Sequence, residues 1–319
     1  MNTTGIVILN FNNFSDTINC IKSVYLHCSE QQILLVIVDN CSSNDSVNQI
    51  SSFLNDNGFA HQIIKDNQKI KSLDSDTVII KINENLGYAR GNNVGIRFLI
   101  DQNVENILIL NNDILFTSNI INPLVNCLNA HPELGLISPL LLKDVDKIDY
   151  NCCRNSLTNW MIIYESMSFL KLPGIKKIVS RNFILKTTPD IINNQIVFCD
   201  IISGACIMAK TTTWEQLHGF DENTFLYYEE IILFEKLKGL NLKSGILPEA
   251  NAIHLGAKAT KNIPNTKILR IELESLLYFL KTYRRISIFG IALIKSLRLL
   301  QINILAINNW RKSLAKRSI

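Results

Sequence analysis

Four mainly aliphatic runs, each ending in a polar cluster, constrain this chain more than any other feature. Gly5 to Leu9 runs into Asn10-Phe11-Asn12, and Ile33 to Val38 runs into Asp39-Asn40. Val78 to Ile82 leads into the segment Asn83 to Asn93, and Ile107 to Leu110 into Asn111-Asn112-Asp113. Strands apolar on both faces must be covered on both faces, and residues 16–26 and 88–100 carry apolar positions at helical spacing. The pattern predicts an α/β fold: a Rossmann-like, mostly parallel sheet flanked by helices. In such sheets ligands bind beyond the carboxyl ends of the strands, where these polar clusters fall.

The chain of 319 residues is long enough for one large α/β domain and an appendage. We read residues 1–262 as that domain, with 144–195 as a less regular excursion facing an acceptor or covering the site. Residues 263–319 are read as C-terminal helices, because positions 269, 273, 276 and 280 are apolar and share one helix face. After Glu274 there are nine basic residues and no acidic one, leaving 23 basic against 28 acidic residues before it. The net charge of +4 is therefore a property of the tail. The tail's apolar runs, Ile286 to Ile294 and Leu299 to Ile307, each fall short of the roughly 20 residues that span a bilayer. Joining them across a membrane would bury Lys295 and Arg298, so a basic amphipathic helix on an anionic membrane surface is expected. An ordinary core-packing helix with basic outward residues is the competing reading. Nucleic acid is not an expected partner, since the basic residues alternate with Ile and Leu rather than with stacking aromatics. Eight cysteines without a CxxC pair suggest reduced thiols, and the N-terminus lacks the pattern of an export signal, so a cytoplasmic setting is expected.

The densest chemistry lies in residues 197–256. There Ser203-Gly204-Ala205 and the turn Gly219-Phe220-Asp221-Glu222 precede an aromatic run, Phe225, Tyr227 and Tyr228, that presents Glu229 and Glu230. Carboxylates among apolar groups can be tuned as general bases; the alternative is acids favoured at a helix N-terminus. Asp39, ending a strand, could accept hydrogen bonds from a nucleobase or ribose, or could simply cap the next helix. Gly87 and Gly91 flank Arg90, where backbone can approach a ligand and a guanidinium can pair with phosphate. Asp113 is placed to hold a divalent cation on a diphosphate, since Mg2+ or Mn2+ needs only one or two protein carboxylates.

These segments, in this order, resemble glycosyltransferase family 2, in particular its bacterial rhamnosyltransferase-like members. The matching pieces are GIVILNFNN, VIVDNCSSNDS, NENLGYARGNNVGIR, LILNND and DIISGACIMAK…GFDENTFLYYEE…LPEANAIHLG, which together span about residues 5–258. The resemblance implies a GT-A fold, here followed by the C-terminal helical tail, a nucleotide-diphosphate sugar donor, with UDP or dTDP favoured, Mg2+ or Mn2+, and inversion at the anomeric carbon. It places Asn10 and Asn12 at the nucleobase, Asp39 at base and ribose, and Gly87 and Arg90 beside ribose and diphosphate. It puts Asn112 and Asp113 in the Asp-x-Asp motif, with Asp113 on the metal, and gives His254 as a further metal ligand. Glu230 takes the place of the usual catalytic base, with Glu229 beside it. Two positions depart from the pattern: Asn111 replaces the first motif acid, and Ile232 replaces an aspartate two residues after the acidic pair.

The function implied is transfer of a sugar to a hydroxyl of a growing, lipid-linked surface polysaccharide such as O-antigen or capsule. The site of action would be peripheral, at the inner face of the cell membrane. The alternative kept open by Asn111 and Ile232 is a catalytically weak sugar-nucleotide-binding partner docked on a membrane assembly complex. A nucleotidyltransferase would need a glycine-rich basic loop near the N-terminus, and Asn10-Phe11-Asn12-Asn13 is not one.

Overall fold

The computed structural model describes residues 3–29, 32–66, 68, 73–145, 147–156, 158–167, 195–256 and 264–317, with side chains up to residue 310. Its centre is an eleven-stranded sheet. Strands β1 (Thr4–Asn10), β2 (Ile33–Asp39), β3 (Gln62–Lys65), β4 (Thr77–Lys81) and β5 (Asn106–Asn111) form its parallel half in the order β5-β1-β2-β4-β3. Helices α1 (Phe14–Cys28), α2 (Ser46–Asp56) and α3 (Gly87–Asp101) connect them. Ile6, Val7, Ile8, Val36, Ile37, Val38, Ile107, Leu108 and Ile109 are fully buried, as aliphatic strands covered on both faces require. Strand β3 was not anticipated, being four residues long; of the polar connection between it and β4, residues 67 and 69–72 lie outside the described residues. Helix α3 lies flush on β1, because a Cβ at Gly91 or Gly95 would meet Leu9 at 2.7 Å or Val7 at 2.5 Å.

The second half departs from a simple parallel repeat. β6 (Ile114–Phe116), α4 (Ile121–Ala130), β7 (Leu134–Asp144) and β8 (Lys147–Ile148) lead to β9 (Cys153–Arg154) and α5 (Asn159–Ser166). Then follow β10 (Val197–Cys199), β11 (Ile201–Ile202), β12 (Cys206–Lys210), α6 (Thr211–Leu217), α7 (Glu229–Gly239) and β13 (Lys243–His254). β12 enters antiparallel between β5 and β7, so Ala205 lies beside the end of β5 and accepts the Asn111 N–H at 2.8 Å. β6 pairs antiparallel with the end of β13, setting His254 opposite Ile114. Of the excursion expected at 144–195, residues 146, 157 and 168–194 lie outside the described residues. All eight cysteines are free thiols, and all but Cys41 are buried.

Two helices close the chain, α8 (Asn265–Thr282) and α9 (Ile288–Arg317). Leu273, Leu276, Phe279 and Leu280 of α8 form a second apolar cluster with Tyr228, Ile231 and Ile232 on one side and Ile294 and Ile302 of α9 on the other. α9 joins the two apolar runs of the tail. It is one continuous helix of 30 residues, and its 288–310 stretch is long and apolar enough to cross a membrane by length and composition. Arg298 is buried inside the protein, 3.6 Å from Glu165 and 3.9 Å from Glu272. Roughly opposite on the helix, Phe289, Leu293, Leu300, Ile304 and Ile307 are exposed.

Candidate active site

Beyond the ends of β1, β2 and β5 lies an open cavity of about 450 Å³, within the size range of ligand sites. Gly87, Asn112, Asp113, Glu229, Glu230 and His254 all line it, although they come from four separate segments of the chain. So do Phe11, Asn40, Tyr88, Gly204 and Phe225.

Two turns bring the walls together. Asn40 donates to the Gly87 carbonyl at 3.0 Å and accepts the Leu86 N–H at 2.9 Å, which ties the start of α3 to the end of β2. Gly87 has φ +77°, and a Cβ there would sit 2.2 Å from the Phe225 carbonyl oxygen. Glycine is thus what lets this turn approach the 225–228 loop, and the Tyr88 N–H then donates to the Phe225 carbonyl at 2.8 Å. In that loop Tyr227 and Tyr228 both adopt left-handed backbone, at φ 73° and 72°. Such geometry costs about 1–3 kcal/mol per residue and persists only where surroundings enforce it. Here the buried Tyr228 ring packs 5.6 Å from Phe279, and Ser275 donates to the Leu226 carbonyl at 2.9 Å. The turn delivers Glu229 and Glu230 as the first residues of α7.

The two acids sit in different surroundings. Glu229 is 5% exposed, and its Oε1 has no hydrogen-bond partner. Burial, and then the neighbouring Glu230 charge, push its pKa up to about 8. Glu230 accepts the Gly204 N–H at 3.0 Å and lies 3.6 Å from Arg154. Ile232 is fully buried in the α7–α8 apolar cluster. Its departure from the family pattern thus supplies helix packing, where a carboxylate would be desolvated without a partner.

Across the cavity, Asp113 and His254 meet with 3.5 Å between Oδ2 and Nε2. Asp113 Oδ1 is buried and lacks a hydrogen-bond partner. His254 Nδ1 lies 3.7 Å from Asp149, a residue the sequence reading missed. Burial would lower the His254 pKa, but hydrogen bonding and charge from Asp113, then Asp149, outweigh it and raise it. An orphaned carboxylate oxygen beside an imidazole suits a hard divalent cation. Among the described residues no cluster of three or more His, Cys, Asp or Glu could hold an ion unaided, so such an ion would share its shell with ligand oxygens and water.

Asn10, Asn12 and Asp39 do not line the cavity. Asn10 donates to Asp39 at 2.7 Å across the β1–β2 register, and Asp39 also accepts from the Ser42 hydroxyl at 2.6 Å and N–H at 3.1 Å. Asn12, at φ 54°, accepts the Ser43 N–H at 2.7 Å. These three tie together the ends of β1 and β2, next in sequence to the cavity-lining Phe11 and Asn40. Arg90 is also outside the lining: it lies 4.0 Å from Glu222, which Arg97 and Asn93 contact as well. The α3 face carrying Gly91 and Gly95 is occupied by β1, so Arg90 is turned to the 219–222 turn instead. Asn112 donates to Thr17 at 3.0 Å, fixing the residue before Asp113 to α1.

No protein-family model matches the chain. A low-salt glycan biosynthesis hexosyltransferase, Agl10, of Haloferax volcanii is 28% identical over 238 residues, 71% of this chain and 70% of the relative. An N-acetylglucosaminyl-diphospho-decaprenol L-rhamnosyltransferase of Mycobacterium tuberculosis is 32% identical over 63 residues, 20% of each chain. Among solved structures, GalNAc-T7 with UDP, GalNAc and Mn2+ superposes with a TM-score of 0.59 at 12% identity over 89% of this chain; this chain spans about half (49%) of its length. The fold is that of GT-A glycosyltransferases, and the named relatives support an enzyme of the hexosyltransferase kind.

Proposed function

We propose that this chain transfers a hexosyl or deoxyhexosyl group, with inversion, from a nucleotide-diphosphate sugar to a hydroxyl of a lipid-linked glycan. The observation carrying this reading is the opposition, across one cavity, of a tethered Glu230 and the Asp113–His254 pair. The nucleoside would lie over the ends of β1 and β2, beside Asn10, Asn12 and Asp39, with Gly87 admitting backbone to the ribose and diphosphate. Asp113 and His254 would hold Mg2+ or Mn2+, which when bound supplies positive charge to the departing diphosphate. Residues 1–262 would form the transferase unit.

In the chemical step the acceptor oxygen attacks the anomeric carbon, the bond from that carbon to the diphosphate oxygen breaks, and the acceptor proton passes to Glu230. Glu229 stays protonated up to about pH 8 and so leaves this role to its neighbour. A neutral Glu229 at the cavity wall is suited to hydrogen-bonding a sugar hydroxyl.

The tail supports work at the inner face of the cell membrane. Its exposed apolar row and acid-free charge suit an anionic surface, while Ile294, Arg298 and Ile302 hold the other side of α9 to the protein. A prenyl-diphosphate acceptor, such as the name of the mycobacterial relative carries, would present itself there. The product would belong to a surface polysaccharide such as O-antigen or capsule. Radiolabelled sugar transfer into extractable lipid, scored with UDP-, dTDP- and GDP-sugars, tests the proposal. Glu230→Gln should lower turnover by roughly 10²–10⁴-fold while leaving nucleotide-sugar affinity intact; full turnover by that variant would refute it.

A further inference from the structure

We propose that Arg154 is the positioning residue for the Glu230 carboxylate, fixing which of its oxygens is offered to the acceptor; this rests on Glu230 being the base. Arg154 belongs to β9, outside the main sheet, and β9 pairs antiparallel with β11 in the register Ile201↔Arg154 and Ile202↔Cys153. Two further bonds close this seam: the Ser203 N–H donates to the Cys152 carbonyl at 2.9 Å, and the Ser156 N–H to the Asp200 carboxylate at 2.8 Å. Residues 152–156 are thereby bound to residues 200–203, immediately before Gly204.

Both contacts of Glu230 converge on one oxygen. Oε1 accepts the Gly204 N–H at 3.0 Å and lies 3.6 Å from Arg154 Nη2, whereas Oε2 enters neither contact. A Cβ at position 204 would stand 3.2 Å from Glu230 Cγ and Oε1, a tight contact to which the carboxylate would have to yield by a few tenths of an ångström. The Arg154 and Glu230 side chains are 16% and 25% exposed, which strengthens their attraction relative to a surface pair. Arg154 is not among the cavity-lining residues. It acts on the reaction through Glu230, by stopping the carboxylate from rotating off the line of proton transfer, and misplacement by about 1 Å can cost 10²-fold.

The test compares Arg154→Gln, Arg154→Lys, Glu230→Gln and the double variant Arg154→Gln/Glu230→Gln. Turnover is read with Mn2+ and vesicles carrying a polyprenyl-diphosphate-linked saccharide, using the best donor from the nucleotide-sugar panel. Arg154→Gln should lose roughly ten- to a hundredfold in kcat with donor KM unchanged. Arg154→Lys should retain more of it, and in the Glu230→Gln background removing Arg154 should cost nothing further. Arg154→Lys carries the same paired comparison should Arg154→Gln not fold. Wild-type turnover by Arg154→Gln, or an equal loss in both backgrounds, overturns the inference. Full turnover by Glu230→Gln alone overturns the base assignment itself, a result visible without any Arg154 variant.

Discussion

Replacing Gly87 by alanine tests whether the cavity wall depends on the contact between the start of α3 and the 225–228 loop. Two costs can be separated. A left-handed backbone costs an L-residue about 1–2 kcal/mol. The second cost is steric: the new Cβ would sit 2.2 Å from the Phe225 carbonyl oxygen, and a backbone atom cannot rotate out of the way. The loop would have to retreat by about 1 Å to reach ordinary contact. That retreat breaks the 2.8 Å bond from the Tyr88 N–H to the Phe225 carbonyl, at a further cost of about 1–3 kcal/mol. Gly58 supplies the control, with a similar φ of +74° and nothing within 4 Å of its added Cβ. Gly58→Ala should therefore lose about 1–2 kcal/mol and Gly87→Ala about 3 kcal/mol or more. At roughly 2–4 °C per kcal/mol, scanning calorimetry should place Gly87→Ala well below Gly58→Ala in Tm. Nucleotide-sugar affinity should fall in Gly87→Ala alone, because Phe225 leaves the cavity wall. Equal melting temperatures and equal affinities in the two variants would refute the reasoning.

The Glu229 proton gives a stability signature. Its folded pKa, about 8, exceeds the ordinary 4.5, so its contribution is fully present below pH 4.5 and is lost as pH rises toward 8. Glu229→Gln should therefore gain on the wild type across that window, by up to about 1.4 kcal/mol per pH unit in urea unfolding; parallel pH profiles would count against it. Arg298→Met should release α9, since Glu165 and Glu272 lose their shared counter-charge. With those carboxylates about one-third exposed, the loss should be about 1–2 kcal/mol, accompanied by faster hydrogen exchange over residues 288–310. Unchanged exchange there would show that the ion pairs do not hold the helix.

The strands and their polar ends were legible because buried parallel strands leave a continuous aliphatic signature, and Asp113 and the Glu229-Glu230 pair stand at sequence-visible breaks in it. Residues whose roles arise only from long-range packing were not. Arg154 meets Glu230 across 76 positions, Asn40 clamps Gly87 across 47, and Asp149 reaches His254 from a short turn with no periodic pattern. Arg90 shows the converse: its glycine-flanked setting suggested phosphate, but α3 turns it toward Glu222. The tail's helix was legible as well, but not that Arg298, which interrupts its apolar pattern, faces a protein partner.

A cation-assisted nucleotide-sugar site at Asp113 and His254 is the centre of the proposed activity. Its most direct test is thermal denaturation with UDP-, dTDP- and GDP-sugars, each with and without Mn2+, on wild type and Asp113→Asn. At 100 times its dissociation constant, one donor class should stabilise the wild type by about 2.7 kcal/mol when Mn2+ is present, and the variant should lose the Mn2+-dependent part. No stabilisation by any donor, or one indifferent to Mn2+ and to Asp113, would contradict it.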